Sequence, residues 1–177
     1  VSIGFIVFVL TVLAFLIALP HIRDNAPKDK GASIPSGSYS YGIDISHYQE
    51  KIKWDSLMVM TGKDGRTILS KTHAKALKPV SFVFIKATEG SNMKDRHFRK
   101  HWEEAGKRNI RRGAYHFFRS SKNGTLQARH FIRTVGNLRY KDLPPVLDIE
   151  TIHKGCSDDI LNARALEWLE EVERHYG

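Results

Sequence analysis

The chain divides into an apolar segment, a polar segment and a longer region in which short apolar runs alternate with amphipathic stretches. Residues 1–19 carry no charge, and their only polar side chains are Ser2 and Thr11. Nineteen helical residues span about 28 Å, close to the hydrocarbon thickness of a bilayer. We therefore predict a membrane segment over residues 1–20, either a transmembrane anchor or a signal segment. The lack of a small-residue cleavage motif after it favours the anchor.

Residues 21–40 are polar, rich in Pro, Gly, Ser and Lys, and without periodicity, which predicts a flexible linker. Beyond them, runs of β-branched and aromatic residues predict four main strands, at residues 41–46, 80–87, 112–118 and 146–150. Apolar residues spaced by three and four predict helices at residues 97–107, 125–135 and from 157 or 158 to about 176. Residues 56–70 predict a hairpin that turns at Asp64-Gly65, and residues 71–78 a short basic helix.

Strands that alternate with helices predict a parallel sheet with right-handed crossovers. The predicted fold class is therefore α/β, a (β/α) TIM-like barrel preceded by a transmembrane helix, with an open doubly wound sheet as the alternative. Four strands cannot close an eight-stranded barrel, so we expect the barrel to be truncated after about four βα units. The chain then has three parts, residues 1–20, 21–40 and 41–177.

Polar residues follow each predicted strand, and the most informative of them are Asp148 and Glu150. On a strand, residues two apart point the same way, so these carboxylates would lie about 6–7 Å apart at the backbone. Their charges repel, and one of them would tend to keep its proton. A protonated carboxyl beside an ionised one suits cleavage of a glycosidic bond, although a strand that runs into an acidic loop has the same spacing.

Charge narrows the choice of partners only slightly. The net charge is +9 and the pI about 9.7, which suits a polyanion such as nucleic acid, anionic lipid or an acidic wall polymer. The charge is spread along the chain without a dense basic run that alternates with aromatics, so nucleic acid is not expected. No glycine-rich phosphate loop follows a strand, and the single Cys156 has no metal-ligand spacing.

Several motifs occur together in a fixed order from residue 41 to residue 177: GIDISHYQ at 42–49, FVFIKATEG at 82–90, GAYHF at 113–117, Gln127-Ala128 and LDIE at 147–150. This part of the chain resembles the glycoside hydrolase family 25 lysozymes, which are N-acetylmuramidases. The resemblance implies an irregular eight-stranded barrel, here incomplete at its C-terminus. It also implies hydrolysis of the β-1,4 bond between N-acetylmuramic acid and N-acetylglucosamine in peptidoglycan, with no metal or other cofactor.

The resemblance also assigns roles to single residues. Glu150 matches the proton donor, and Asp148 the carboxylate that steadies the oxazolinium-like intermediate or its acetamido group. Asp44 matches a further active-site carboxylate, and Tyr115 an aromatic residue of the sugar cleft. The family has another active-site aspartate on a later strand, which this sequence does not reach, so this part alone is not assured of activity.

Two more substrate-binding candidates, Glu89 and His116, each have a structural alternative. Glu89 is equally explained as a loop residue at a strand end. His116 alternates with Tyr115 along its strand, so it is equally explained as a histidine with satisfied hydrogen bonds on the back of the sheet.

The implied partners are the glycan strands of peptidoglycan and, through residues 1–20, a lipid bilayer. The domain is then expected on the cell-wall side of a membrane, anchored or exported, in an unspecified oligomeric state. Two other functions stay open: a catalytically inactive wall-binding module of the same fold, and a basic envelope protein that binds anionic polymers.

Overall fold

The computed structural model describes residues 39–177, and every structural statement below concerns that part of the chain. The predicted membrane segment and residues 21–38 of the predicted linker lie outside it. Within residues 39–177, no helix combines the length and the apolar character that crossing a bilayer requires.

The elements alternate along the chain much as the hydrophobic pattern predicts. In order they are β1 (Tyr41–Ile45), a short 3-10 helix (Trp54–Ser56), β2 (Met58–Thr61), β3 (Ala76–Glu89), β4 (Met93–Lys94), α1 (Phe98–Lys107), β5 (Arg111–Phe117), α2 (Gly124–Val135), β6 (Val146–Asp148) and α3 (Asp158–Tyr176).

The centre of the fold is a parallel sheet with strand order β1-β3-β5-β6. Asp44 on β1 pairs with Phe84 on β3, and Phe84 pairs in turn with Gly113 on β5. On the far side of β5, Phe117 pairs with Asp148. The predicted parallel α/β sheet is thus confirmed, and the carboxyl ends of its four strands lie along one edge.

One face of the sheet carries the helices and the hydrophobic core. Alternate residues of β3, among them Val83 and Ile85, have no exposed surface, because they point toward the helices. Phe98 of α1 and Phe131 of α2 are likewise fully buried, and Trp168 of α3 is 1% exposed. Burying a side chain of this size contributes about 1.5–3 kcal/mol, so this packing holds the helices against the sheet.

On the opposite face, two aromatic rings of β3 lie close above glycines of the neighbouring strands. A Cβ atom on Gly113 would come within 2.4 Å of the Phe84 ring, and one on Gly42 within 2.1 Å of the Phe82 ring. Any side chain at these two positions would displace the rings. The glycines therefore let the two phenylalanines cover the inner face below the strand ends.

The predicted helix at residues 71–78 is wrong, because β3 already begins at Ala76. Residues 76–79 pair antiparallel with β2, and Leu77 lies opposite Met60. Pro79 lacks an amide hydrogen but occupies the last pair of this ribbon, where the loss is tolerated. The predicted hairpin is present: the amide of Gly62 donates to the carbonyl of Arg66, and Thr61 bridges Thr67.

Helices α2 and α3 each begin after a polar residue that caps them, and the start of α2 corrects the prediction. Ser157 caps α3 by accepting from the amide of Ile160 at 3.3 Å. Helix α2 begins at Gly124, one residue earlier than predicted, and Asn123 caps it, since its side chain accepts from the amide of Leu126 at 2.8 Å. Both oxygens satisfy amides that the first helical turn leaves without a partner.

Candidate active site

Acidic side chains converge at the carboxyl edge of the parallel sheet around Tyr115. This half-buried phenol lies on β5, between β3 and β6. Burial is the main cause that raises the pKa of Tyr115, and the negative charges of Asp44, Asp148, Asp95 and Glu150 raise it further. The structure thus brings the three predicted catalytic carboxylates into the surroundings of one aromatic side chain.

Asp148 and Glu150 form a coupled pair of carboxyl groups. Strand β6 ends at Asp148, so Glu150 lies just beyond the strand. The two side chains nevertheless remain within hydrogen-bonding reach of each other. Burial first, and then the charge and hydrogen bond of Glu150, raise the pKa of Asp148, while Lys86 opposes the rise. The pair therefore holds a proton at a higher pH than an isolated aspartate would.

Two cations and one carboxylate form an ionic group beside this pair; Lys86 and Glu89 are mostly buried, and Arg119 is 36% exposed. The Lys86 ammonium donates to Glu89 at 2.7 Å, and Arg119 donates to the other oxygen of Glu89 through Nε at 2.9 Å and through a second N–H. The ring of Phe117 lies 4.6 Å from Lys86 Nζ and 4.8 Å from Arg119 Cζ. This contact fixes both cations over the inner face of β5.

Glu89 is therefore an ionised partner of two cations. Burial on its own raises the pKa of Glu89, but the hydrogen bonds and charges of Lys86 and Arg119 outweigh it, so the pKa lies below its ordinary value. Both carboxylate oxygens are occupied by these donors. Glu89 thus lies at the carboxyl edge of the sheet, and its two carboxylate oxygens contact Lys86 and Arg119.

The profile of the family described as Glycosyl hydrolases family 25 matches residues 43–177, which run from the middle of β1 past the end of α3. The chain belongs to glycosyl hydrolase family 25. The match contains Asp44, Asp148 and Glu150 in the order in which the sheet brings them together.

Two curated proteins and one crystal structure show how similar this family 25 chain is to other proteins. YegX of Escherichia coli K12 is 35% identical over 144 residues, 81% of this chain and 47% of YegX. Lysozyme M1 of Streptomyces globisporus is 34% identical over 139 residues, 76% of this chain and 41% of the lysozyme. The bacterial lysozyme from Streptomyces coelicolor is 32% identical in sequence to this chain. Its crystal structure matches this chain with a TM-score of 0.62, over 80% of this chain and 60% of that one. The chain spans about half the length of the curated relatives it matches.

His116 does not join the carboxylates of this family 25 site. Its ring has no exposed surface and lies on the helix side of the sheet, stacked on Trp168 at 5.7 Å between ring centroids. Gln127 uses its amide nitrogen for two carbonyls, so its oxygen accepts from His116 Nε2 at 3.1 Å. Nδ1 then accepts from the Thr88 hydroxyl at 2.7 Å. His116 is therefore the histidine with satisfied hydrogen bonds that the sequence offered as the structural alternative. A contact of His116 with substrate has no support in the structure.

The buried His116 is expected to make the protein less stable in mild acid. Burial lowers its pKa to about 4, against an ordinary value of 6.5. Between these values the unfolded chain binds the proton and the folded chain does not, so stability is lost as the pH falls. The loss should approach about 3 kcal/mol in the free energy of unfolding near pH 4. Urea titrations from pH 7 to pH 4 measure the free energy of unfolding. The same titrations of His116→Gln, whose side chain cannot titrate at this position, isolate the contribution of His116. A difference between the two proteins that does not vary with pH contradicts the prediction.

Asp95 is a functional candidate that the sequence analysis missed. Its side chain is fully buried and accepts from the amide of His47 at 2.7 Å, from His47 Nδ1 at 3.1 Å and from the amide of His97 at 2.9 Å. It therefore joins the loop after β1, which follows Asp44, to the start of α1. A short polar residue just before a helix was the available signal, because such residues accept from the first helical amides.

Ser120 fixes the loop that carries Glu150, and it too was missed. The Ser120 hydroxyl oxygen accepts from the amide of His153 at 2.8 Å and lies 3.0 Å from His153 Nδ1. At the other end of the loop, the amide of Phe118 donates to the carbonyl of Asp148 at 2.8 Å. Residues after β5 thus hold the acidic loop of this family 25 site at both ends.

Proposed function

We propose that this family 25 domain belongs to a lysozyme-type muramidase, which hydrolyses the β-1,4 bond between N-acetylmuramic acid and N-acetylglucosamine in peptidoglycan. The observation that carries the proposal is the coupled Asp148–Glu150 pair beside Asp44 and Tyr115. Cleavage of a glycosidic bond requires a protonated carboxyl and an ionised carboxylate close to one another. The name of lysozyme M1 supports the choice of a lysozyme substrate.

In the proposed mechanism the proton that the Asp148–Glu150 pair holds is delivered through Glu150 to the glycosidic oxygen as the bond to the anomeric carbon breaks. Asp148 steadies the acetamido group of the sugar, and Asp44 adds negative charge near the positive charge that develops on the ring. A water molecule then adds to the anomeric carbon and returns a proton to Glu150. Proton delivery of this kind contributes about 10²–10⁴-fold to the rate.

Tyr115 and Glu89 take the substrate-binding part of the proposal. Because the pKa of Tyr115 is raised, it keeps its hydroxyl proton and can donate it to a sugar oxygen. Glu89 acts through Lys86 and Arg119, whose positions it fixes beside the carboxyl pair.

We also propose that residues 1–20 anchor the protein in a membrane and that residues 21–40 tether the domain on the cell-wall side. The support is the uncharged composition of residues 1–19 and the polar, aperiodic segment after it. The partners are then peptidoglycan glycan strands and the lipid bilayer, and no nucleic acid is expected.

The direct test identifies the sugar at the new chain end. Purified peptidoglycan is digested with the full-length protein, reduced with borohydride and analysed by mass spectrometry. Muramidase activity predicts reduced muramic acid at the new ends. Reduced glucosamine would reassign the bond that is cleaved, and binding without any new ends would favour the inactive wall-binding module.

A further inference from the structure

The antiparallel ribbon formed by β2 and the first residues of β3 projects from the parallel sheet and plays no part in the carboxyl site. Met58 lies opposite Pro79, and Met60 opposite Leu77. Opposed residues of antiparallel strands point to the same side, so these four side chains form one apolar surface, which we call the ribbon face. Met58 is 43% and Leu77 60% exposed, so nothing in the described part of the chain covers it.

The segment that forms the ribbon is rich in basic residues. Residues 57–79 contain five cations, Lys63, Arg66, Lys71, Lys75 and Lys78, against one carboxylate, Asp64. The four lysines are exposed and form no ion pair within residues 39–177. Lys78 lies opposite Val59, on the reverse side of the ribbon, so Lys63, Lys71 and Lys75 are the lysines available to a rim around the ribbon face. Leu69, in the segment that returns along β2, is 99% exposed. An apolar centre with a cationic rim is the composition of a surface that lies against anionic lipid headgroups.

The tether enters the domain next to this ribbon. Tyr41, the first residue of β1, donates its hydroxyl to the carbonyl of Gly65 in the ribbon turn at 3.1 Å. The 20 residues before Tyr41 are predicted to be flexible, and such a linker has a root-mean-square length of about 25 Å. A linker of this length, joined to the domain at Tyr41, allows the ribbon to reach a bilayer that holds residues 1–20.

The carboxyl site lies at the other end of the same strand. Strand β3 runs from the ribbon at Pro79 to Lys86 beside the Asp148–Glu150 pair, and seven strand residues span about 23 Å. A domain that rests on the ribbon therefore holds its carboxylates away from the bilayer. This orientation leaves the site open toward a polymer outside the membrane.

We propose that the ribbon face and its lysine rim dock the domain onto an anionic phospholipid surface. The inference rests on the proposed anchor at residues 1–20 and is independent of the hydrolytic activity. Apolar side chains enter the headgroup region, and the lysines contribute an attraction that depends on anionic lipid and weakens with salt.

The test uses the full-length protein reconstituted in vesicles, with Cys156→Ser to remove the native thiol. Leu69→Cys beside the ribbon and Lys154→Cys beyond β6 are each labelled with a polarity-sensitive fluorophore; the first is called the ribbon label. In vesicles that contain phosphatidylglycerol, the emission of the ribbon label should move to shorter wavelength, and that of the Lys154 position should not. In phosphatidylcholine alone, neither label should move.

Charge-reversal variants distinguish the effect of the ribbon lysines from that of the overall positive charge of the domain. The triple variant Lys63→Glu, Lys71→Glu, Lys75→Glu should lose the shift of the ribbon label. The matched reversal of exposed lysines elsewhere, at Lys100, Lys122 and Lys141, should retain most of it. Glu150→Gln should retain it fully, so failure of the hydrolase proposal would be seen separately.

Three results would overturn the docking proposal. They are an equal shift in both lipids, a shift that survives reversal of the ribbon lysines, and a shift produced by a soluble anionic wall polymer but not by phosphatidylglycerol. The last result would assign the ribbon to the polymer.

Discussion

Glu150→Gln is expected to lower kcat for peptidoglycan hydrolysis by about 10²–10⁴-fold while the fold is preserved. Glutamine has nearly the same shape, but its amide cannot deliver a proton to the glycosidic oxygen. Glu150 is exposed beyond the end of β6, so the exchange leaves the core untouched. Release of reducing ends at saturating substrate measures the effect, and the circular dichroism spectrum checks the fold.

The same variant should also change the titration of Asp148. The charge and hydrogen bond of Glu150 both raise the pKa of Asp148, so removing that charge should move the pKa of Asp148 down. Carboxyl chemical shifts in NMR report this change in the absence of substrate. The matched control is Glu170→Gln, the same exchange on the exposed side of α3, which should alter neither quantity. Full activity in Glu150→Gln would remove Glu150 from the role of acid.

The sequence predicted the parallel sheet and the carboxyl pair because both depend on short periodicities. Alternation along β5 separates Tyr115, at the carboxylates, from His116, which is fully buried behind the sheet. The same period of two predicted that Asp148 and Glu150 share a side, although the strand itself ends at Asp148. The choice between the two roles of His116 needed the positions of Gln127 and Trp168, which come from other elements.

What the sequence did not predict depends on contacts between distant segments. Asp95 is 48 residues from its partner His47, and Ser120 is 33 residues from His153. No local pattern marks such pairs in a single sequence. The prediction of a helix at residues 71–78 was wrong for a different reason. Their composition favoured a helix, but the pairing of Leu77 with Met60 stabilises a strand. Tertiary pairing here overrides local propensity.

Asp142→Ala is expected to lower the free energy of unfolding by about 3–5 kcal/mol, because it breaks a buried ion pair. Arg112, at the start of β5, donates to Asp142 at 2.8 Å, and the two side chains are 10% and 6% exposed. The guanidinium also donates to the carbonyl of Trp102 at 2.6 Å and lies 4.3 Å from the centre of its ring. Without the carboxylate, a positive charge would remain buried there with no counterion.

The cost should arise from the charge left behind and not from the lost contact. The double variant Arg112→Met, Asp142→Ala should therefore be more stable than Asp142→Ala alone, since it buries no unpaired charge. Asp55→Ala serves as the control: it also removes an arginine partner, Arg108, but Asp55 is 83% exposed, so little change is expected. Urea unfolding of the unaltered protein, the three variants above and Arg112→Met alone separates the cases. If the double variant is as unstable as the sum of its single changes, the pair acts through packing, and the electrostatic explanation fails.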